Sequence, residues 1–177
     1  MDYTRYYDLE RYLFEDVGPR FRAEGSLGAF DLFSIVIWKS NRAKTRIAKR
    51  LAARGADLER AARELTAAVA RAPDAEARLA VLMRDWGFLL PMASAILTVL
   101  YPDEFTVYDT RVCQELGDFG WLANRAPGRV WAGYLAYRDA VIRATPKDLS
   151  LRDRDRFLWG RSAARQLERD VASNFSR

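Results

Sequence analysis

The residue types and spacings that suggest chemistry fall in two places. From Leu32 to Ala56 there is no acidic residue, while Lys39, Arg42, Lys44, Arg46, Lys49, Arg50 and Arg54 supply seven positive charges. That segment alone exceeds the net charge of the whole chain, +5. Residues 39, 42, 46, 49 and 50 share one face if the segment is a continuous helix, and Trp38 and Asn41 lie beside the stripe. Lys39, Arg42, Arg46 and Lys49 on such a face can track phosphates, with Trp38 as a wedge or stacking platform. The same pattern also suits a solvated helix face next to a core tryptophan.

The second place is Asp109, which follows the extended-looking run Phe105-Thr-Val-Tyr108 and precedes Thr110-Arg111-Val112. An aspartate there can cap a helix over 110–117. It can equally present a carboxylate, since a helix N-terminus stabilises the anion; the two roles are compatible. Arg111 can pair with Asp109 or reach a phosphate.

Composition narrows the remaining options. The 177 residues contain no histidine and one cysteine, Cys113. Ser–His and Cys–His nucleophile pairs, two-histidine metal motifs, an intrachain disulfide and four-cysteine zinc or iron–sulfur sites are therefore excluded. Cys113 reads as a small buried residue. No metal and no cofactor are expected. Half of the chain is hydrophobic and 30% charged, which is ample for a packed core and argues against disorder. The start, MDYTRYYDLERY, is charged throughout and has no apolar stretch before a cleavage site. The longest uncharged run, from Trp86 to Pro102, is broken by Gly87 and Pro91. The expectation is a cytoplasmic protein with no membrane partner.

Helical periodicity must position these residues. It predicts a helix over 3–16 stopped by Gly18-Pro19, and an apolar helix over 29–40. Ile35-Val36-Ile37 is β-branched and suits a strand by propensity alone, but no partner strand of similar quality exists. Asn41 is placed as the cap of a basic helix over 42–54 closed by Gly55, and Asp57 as the cap of the next, ending near Ala72. A helix over 75–86, a tight turn at Gly87 and an apolar helix to Tyr101 follow. After 110–117 come an aromatic helix over 128–144 and a terminal helix opened by a Ser150/Asp153 capping box. The arginines and carboxylates of that last helix read as a salt-bridged solvent face. Gly160, beside Trp159 and Arg161, reads as a close-packing point near a cleft. Trp131, Tyr134, Tyr137 and Trp159 can line a pocket or fill the core. The sum is a single all-α domain, 1–177, without internal repeats.

Within it, 75–117 resembles the helix-hairpin-helix DNA glycosylase superfamily. Trp86-Gly87-Phe88-Leu89-Leu90 stands at that family's glycine-bearing hairpin, Met92-Ala93 at its Thr-Ala-like pair, and Val107-Tyr108-Asp109-Thr110-Arg111 at its aspartate motif. The sequence departs from the family pattern at several points. One glycine stands where two are frequent, Pro91 stands at the place of the lyase lysine, and Arg111 replaces a frequent histidine. The cysteines of the iron–sulfur members are missing.

The resemblance implies a two-lobed helical fold with a central cleft and DNA as partner, gripped partly through Gly87 and Arg111. It also implies base-excision repair by a monofunctional N-glycosylase, with Asp109 as its catalytic carboxylate. That chemistry suits the composition. Breaking an N-glycosidic bond develops positive charge on the sugar, which one carboxylate can stabilise, whereas a lyase step needs an amine. A non-catalytic DNA-binding relative and an α-helical module binding an acidic protein partner are the alternatives.

Overall fold

The computed structural model describes residues 3–54 and 57–175, and among these it contains helices and no strand. Gly55, expected to close the basic helix, lies outside the described residues.

The first helical rod is longer than its sequence suggests. Helix α1 (Leu9–Tyr12) passes through a π-helical turn (Leu13–Val17) into α2 (Gly18–Glu24). Gly18-Pro19 therefore does not stop the rod. The wider turn places Pro19 at the start of α2, where a missing N–H costs little. Gly18 is a packing point: a β-carbon on it would lie 2.7 Å from the Val99 carbonyl oxygen. The rod ends instead at Gly25, in the left-handed region at φ +73.

Helix α3 (Ala29–Ser40) contains the β-branched Ile35-Val36-Ile37 stretch; burial of Leu32, Ile35 and Val36 stabilises it as a helix. Its first N–H groups lack a side-chain cap of their own. Glu59 Oε2, from α5 (Leu58–Arg71), accepts the Ala29 N–H at 2.7 Å. Asp57 caps α5 by accepting the Arg60 N–H at 2.8 Å.

The basic segment is not one helix. Ser40 turns to φ −164 and ψ 99, a 3-10 turn follows (Asn41–Ala43), and α4 spans Lys44–Ala52. Asn41 makes no cap. Lys39 therefore belongs to α3 and Arg42 to the joining turn, so the expected continuous stripe is divided.

Helix α6 (Ala75–Ala80), capped by Asp74, widens into a π-helical turn (Val81–Asp85). Gly87 at φ +68 reverses the chain into α7 (Leu90–Leu100). Apart from Pro91, every residue of α7 is buried, and the helix forms the centre of the core.

The next segment, 105–109, has no regular structure, is buried over Phe105–Tyr108 and ends on Asp109 in an extended conformation. Buried backbone groups need partners, and side chains provide them. Tyr134 Oη accepts the Thr106 N–H at 3.0 Å and donates to the Thr106 carbonyl at 2.7 Å. Tyr137 Oη donates to the Val107 carbonyl at 2.8 Å, and Ser94 Oγ accepts the Tyr108 N–H at 2.9 Å. Burial pushes the Tyr137 hydroxyl well above its ordinary pKa and raises that of Tyr134, keeping both protonated as donors.

Helix α8 (Thr110–Leu116) stops at Gly117, φ +85. Two 3-10 turns (Gly120–Asn124 and Pro127–Arg129) lead to α9 (Trp131–Arg143). Helix α10 (Leu151–Ala172) opens with Ser150 Oγ accepting the Asp153 N–H at 3.1 Å. It packs against α8 and α9. The start of α10 is not the solvent face its alternating charges suggest. Arg154 is buried and donates to the carbonyls of Ile142, Lys147 and Leu149, tying together the α9–α10 connection. Gly160 is exposed, and a β-carbon on it would meet nothing within 4 Å, so it marks no close packing. Among the described residues no helix is long and apolar enough to cross a membrane, and no group of three metal-ligating side chains occurs.

Candidate functional site

A cavity of about 430 Å³ opens where α1, α3, α10 and the 105–109 segment meet. Asp109 stands at the end of that segment, on the rim of α8. Its Oδ1 accepts the Arg111 N–H at 2.9 Å, so it is the helix cap. Its Oδ2 accepts from Lys39 Nζ at 2.6 Å, so it is also half of an ion pair. The carboxylate is 23% exposed and the lysine side chain 14%. Capping and presentation into a cavity therefore coexist in one side chain. The rigid tyrosine clamps on Thr106 and Val107 set where it stands.

Further lining comes from α10. Asp155, Arg156 and Trp159 line the cavity with Trp38, Val107 and Glu10. Trp38 is half-buried, edge-on to Phe14 with ring centroids 5.8 Å apart. Trp159 is 47% exposed. Glu10 holds Arg152 and Arg156, each at 3.2 Å. Asp155 is half-buried and has no hydrogen-bond or ion-pair partner among the described residues. Burial pushes its carboxyl up to about 7; the negative charges of Asp109 and Glu10 add to the rise, and Lys39 and Arg156 oppose it.

Trp38, Lys39 and Asp109 thus converge, as does Trp159. The other aromatic candidates do not. Tyr134 and Tyr137 are fully buried and support the backbone, and Trp131 stacks on Tyr134 at 6.0 Å. Arg111 does not pair with Asp109 through its guanidinium, which donates to Gln166 at 2.7 Å and lies 5.5 Å from the Trp159 ring. Cys113 is buried, and burial raises its thiol pKa, so it stays protonated and inert.

The basic segment leads away from the cavity through Arg42, three residues after Lys39. Arg42, Lys44, Arg46, Lys49 and Arg50 are exposed, and none pairs with a carboxylate among the described residues. The segment also meets the hairpin. Arg54 lies 4.2 Å over the Trp86 ring and donates to the Asp85 carbonyl. A β-carbon on Gly87 would lie 3.3 Å from Arg50 Nη1.

Sequence reasoning missed Asp155, Glu10 and Arg156. A signal for Asp155 existed: it is four residues before Trp159, so both occupy one side of a helix. Alternating charge around it hid that spacing.

A cavity with a fixed carboxylate, a second carboxyl that titrates near neutrality and two tryptophans can hold a planar group. It can also stabilise adjacent positive charge. Comparisons with protein families, with curated proteins and with solved structures give no match.

Proposed function

We propose that the protein binds duplex DNA and releases a base from it as a monofunctional N-glycosylase. In this reading its helices adopt the two-lobed arrangement of the helix-hairpin-helix glycosylases. The observation that carries the proposal is the position of Asp109. Its carboxylate is held at two points, by Lys39 and by the Arg111 N–H, and faces a cavity large enough for a base. As the C1′–N bond stretches, charge develops on the sugar, and a fixed carboxylate beside it lowers the barrier without reorganising. Water then attacks C1′.

Three further features support the reading. Trp38 and Trp159 offer flat apolar walls to an extruded base. The cations of residues 42–50, which pair with no carboxylate among the described residues, suit a phosphate backbone. The hairpin glycine, at positive φ, sits against Arg50 of that same basic segment. Pro91 supplies no amine at the family's lyase position, and the Lys39 ammonium is engaged by Asp109.

The test is incubation with duplexes carrying a panel of modified bases, followed by alkaline cleavage to reveal abasic sites. Base release that depends on Asp109 is expected. Salt-sensitive DNA binding without release from any duplex would assign the chain to the non-catalytic alternative. Absence of DNA binding would leave the protein-interaction module.

A further inference from the structure

We infer that Asp155 is the proton donor to the departing base, the partner of Asp109 in a two-carboxyl site. The inference rests on the glycosylase reading and deepens it, because it specifies the class of base released.

Asp155 lines the same cavity as Asp109 but reaches it from α10, whereas Asp109 is the cap of α8. Nothing donates a hydrogen bond to it among the described residues, whereas both oxygens of Asp109 are engaged. The charged groups around it are already committed. Lys39, from α3, is bound to Asp109, and Arg156, on the same helix, is bound to Glu10 and Asp153. Glu10 from α1 and Asp109 face Asp155 as like charges, and Tyr134 and Tyr137 from α9 face it as protonated phenols. An enclosed carboxyl with no free cation keeps its proton up to about neutral pH. Of the three carboxyls that line the cavity, Asp109 and Glu10 are ion-paired and Asp155 is not, so Asp109 and Asp155 divide naturally into charge stabiliser and acid.

The step balances without any further reactant. The Asp155 O–H proton passes to a ring nitrogen of the base while the C1′–N bond breaks and its electron pair leaves with the base. Asp109 stabilises the resulting cation. Water adds its oxygen to C1′ and releases a proton to Asp109; solvent returns that proton to Asp155. The substrate class follows: neutral modified purines, whose free ring nitrogen takes the proton as the base departs. A base already cationic, such as N7-methylguanine, leaves without it.

The experiment compares duplexes carrying hypoxanthine or 8-oxoguanine with duplexes carrying N7-methylguanine. Wild-type protein is expected to release a neutral base with a rate that falls as pH rises through about 7, while any N7-methylguanine release lacks that limb. Asp155→Asn is expected to lose about 100-fold or more on the neutral base relative to the cationic one, in the range typical of general acids. Equal losses on both kinds of base, or release of cationic bases alone by the wild type, would overturn the role of Asp155 and leave the glycosylase reading standing. No release of any base would remove both. Because the wild-type pH profile and the carbon-13 titration of the Asp155 carboxyl need no variant, the inference stays testable if Asp155→Asn folds poorly. A carboxyl midpoint near 4 would overturn it as well.

Discussion

Lys39 and Asp109, 70 residues apart in sequence, meet at 2.6 Å on the wall of the cavity. The pair joins the end of α3 to the cap of α8. It also makes the two roles of Asp109 separable. Asparagine keeps the cap, because Asn and Asp are comparable N-cap residues. It removes the charge facing Lys39, which costs about 1–2 kcal/mol for a partly exposed, charge-assisted bond. Asp109→Asn is therefore expected to fold, to bind DNA about as well as the wild type, and to release base slower by orders of magnitude. Urea unfolding, a binding titration and single-turnover release measure these three quantities. A variant that releases base at the wild-type rate would reduce Asp109 to a structural cap.

Lys39 itself is the only amine on the cavity wall among the described residues. Its Nζ is engaged by Asp109 at 2.6 Å and is not free to attack. Borohydride added during turnover is expected to trap no covalent protein–DNA adduct, and strand cleavage should require alkali. An adduct that forms with the wild type and vanishes in Lys39→Ala would make this lysine a Schiff-base former and the proposed glycosylase bifunctional.

The basic segment yields a charge test. Arg42, Arg46 and Lys49 are exposed and without acidic partners among the described residues. Reversal of all three to glutamate should leave folding intact and weaken DNA binding for every sequence alike. For every phosphate no longer neutralised, the slope of log affinity against log salt should fall by about 0.9. A folded triple variant with unchanged affinity and slope would show that these cations are merely solvated.

The helices were legible in the sequence where a cap and an apolar period agreed, as for α5 behind Asp57, α8 behind Asp109 and α10 behind Ser150. They were less legible where tertiary contact overrides local signals. Gly18-Pro19 resembles a helix stop, yet a π-helical turn carries the rod through it because Gly18 must lie against Val99. The spacing of basic residues suggested one stripe from 39 to 50, but the kink at Ser40 turns Lys39 into the cavity and leaves the others outside. Asp109 was visible from its extended-looking approach and following helix. Asp155 was not, since its neighbours Asp153 and Arg156 pair with each other at 3.0 Å as any surface helix would. What separates Asp155 from Asp153 is which side of α10 meets the rest of the chain.

Gly87 connects the hairpin to the basic segment. At φ +68 a side chain is strained by about 1–2 kcal/mol, and a β-carbon would crowd Arg50 at 3.3 Å. Gly87→Val should lower the unfolding free energy by at least that strain and weaken DNA binding. Ala132→Val, at an exposed position on α9, should change stability by about 0.5 kcal/mol. Equal effects of the two substitutions in urea unfolding would remove the conformational requirement at the hairpin.

The raised carboxyl of Asp155 links stability to pH in a direction opposite to that of most acidic groups. In the unfolded chain an aspartate titrates near about 3.9, and in the folded protein this one titrates at about 7. Below the unfolded value both forms are protonated and the group leaves stability unchanged. As pH rises from there toward 7 the unfolded chain ionises first, so stability falls. Above 7 both forms are ionised and the full penalty of burying the charge remains, of the order of a few kcal/mol. Asparagine at this position never ionises. The stability of Asp155→Asn relative to wild type should therefore be smallest near pH 4, grow through pH 5 and 6, and level off above about 7. Other titrating groups are common to both proteins and cancel in the difference. Urea unfolding of the pair across this range measures the curve. A difference independent of pH would place the Asp155 carboxyl in water, and with it would go the reason for treating it as an acid.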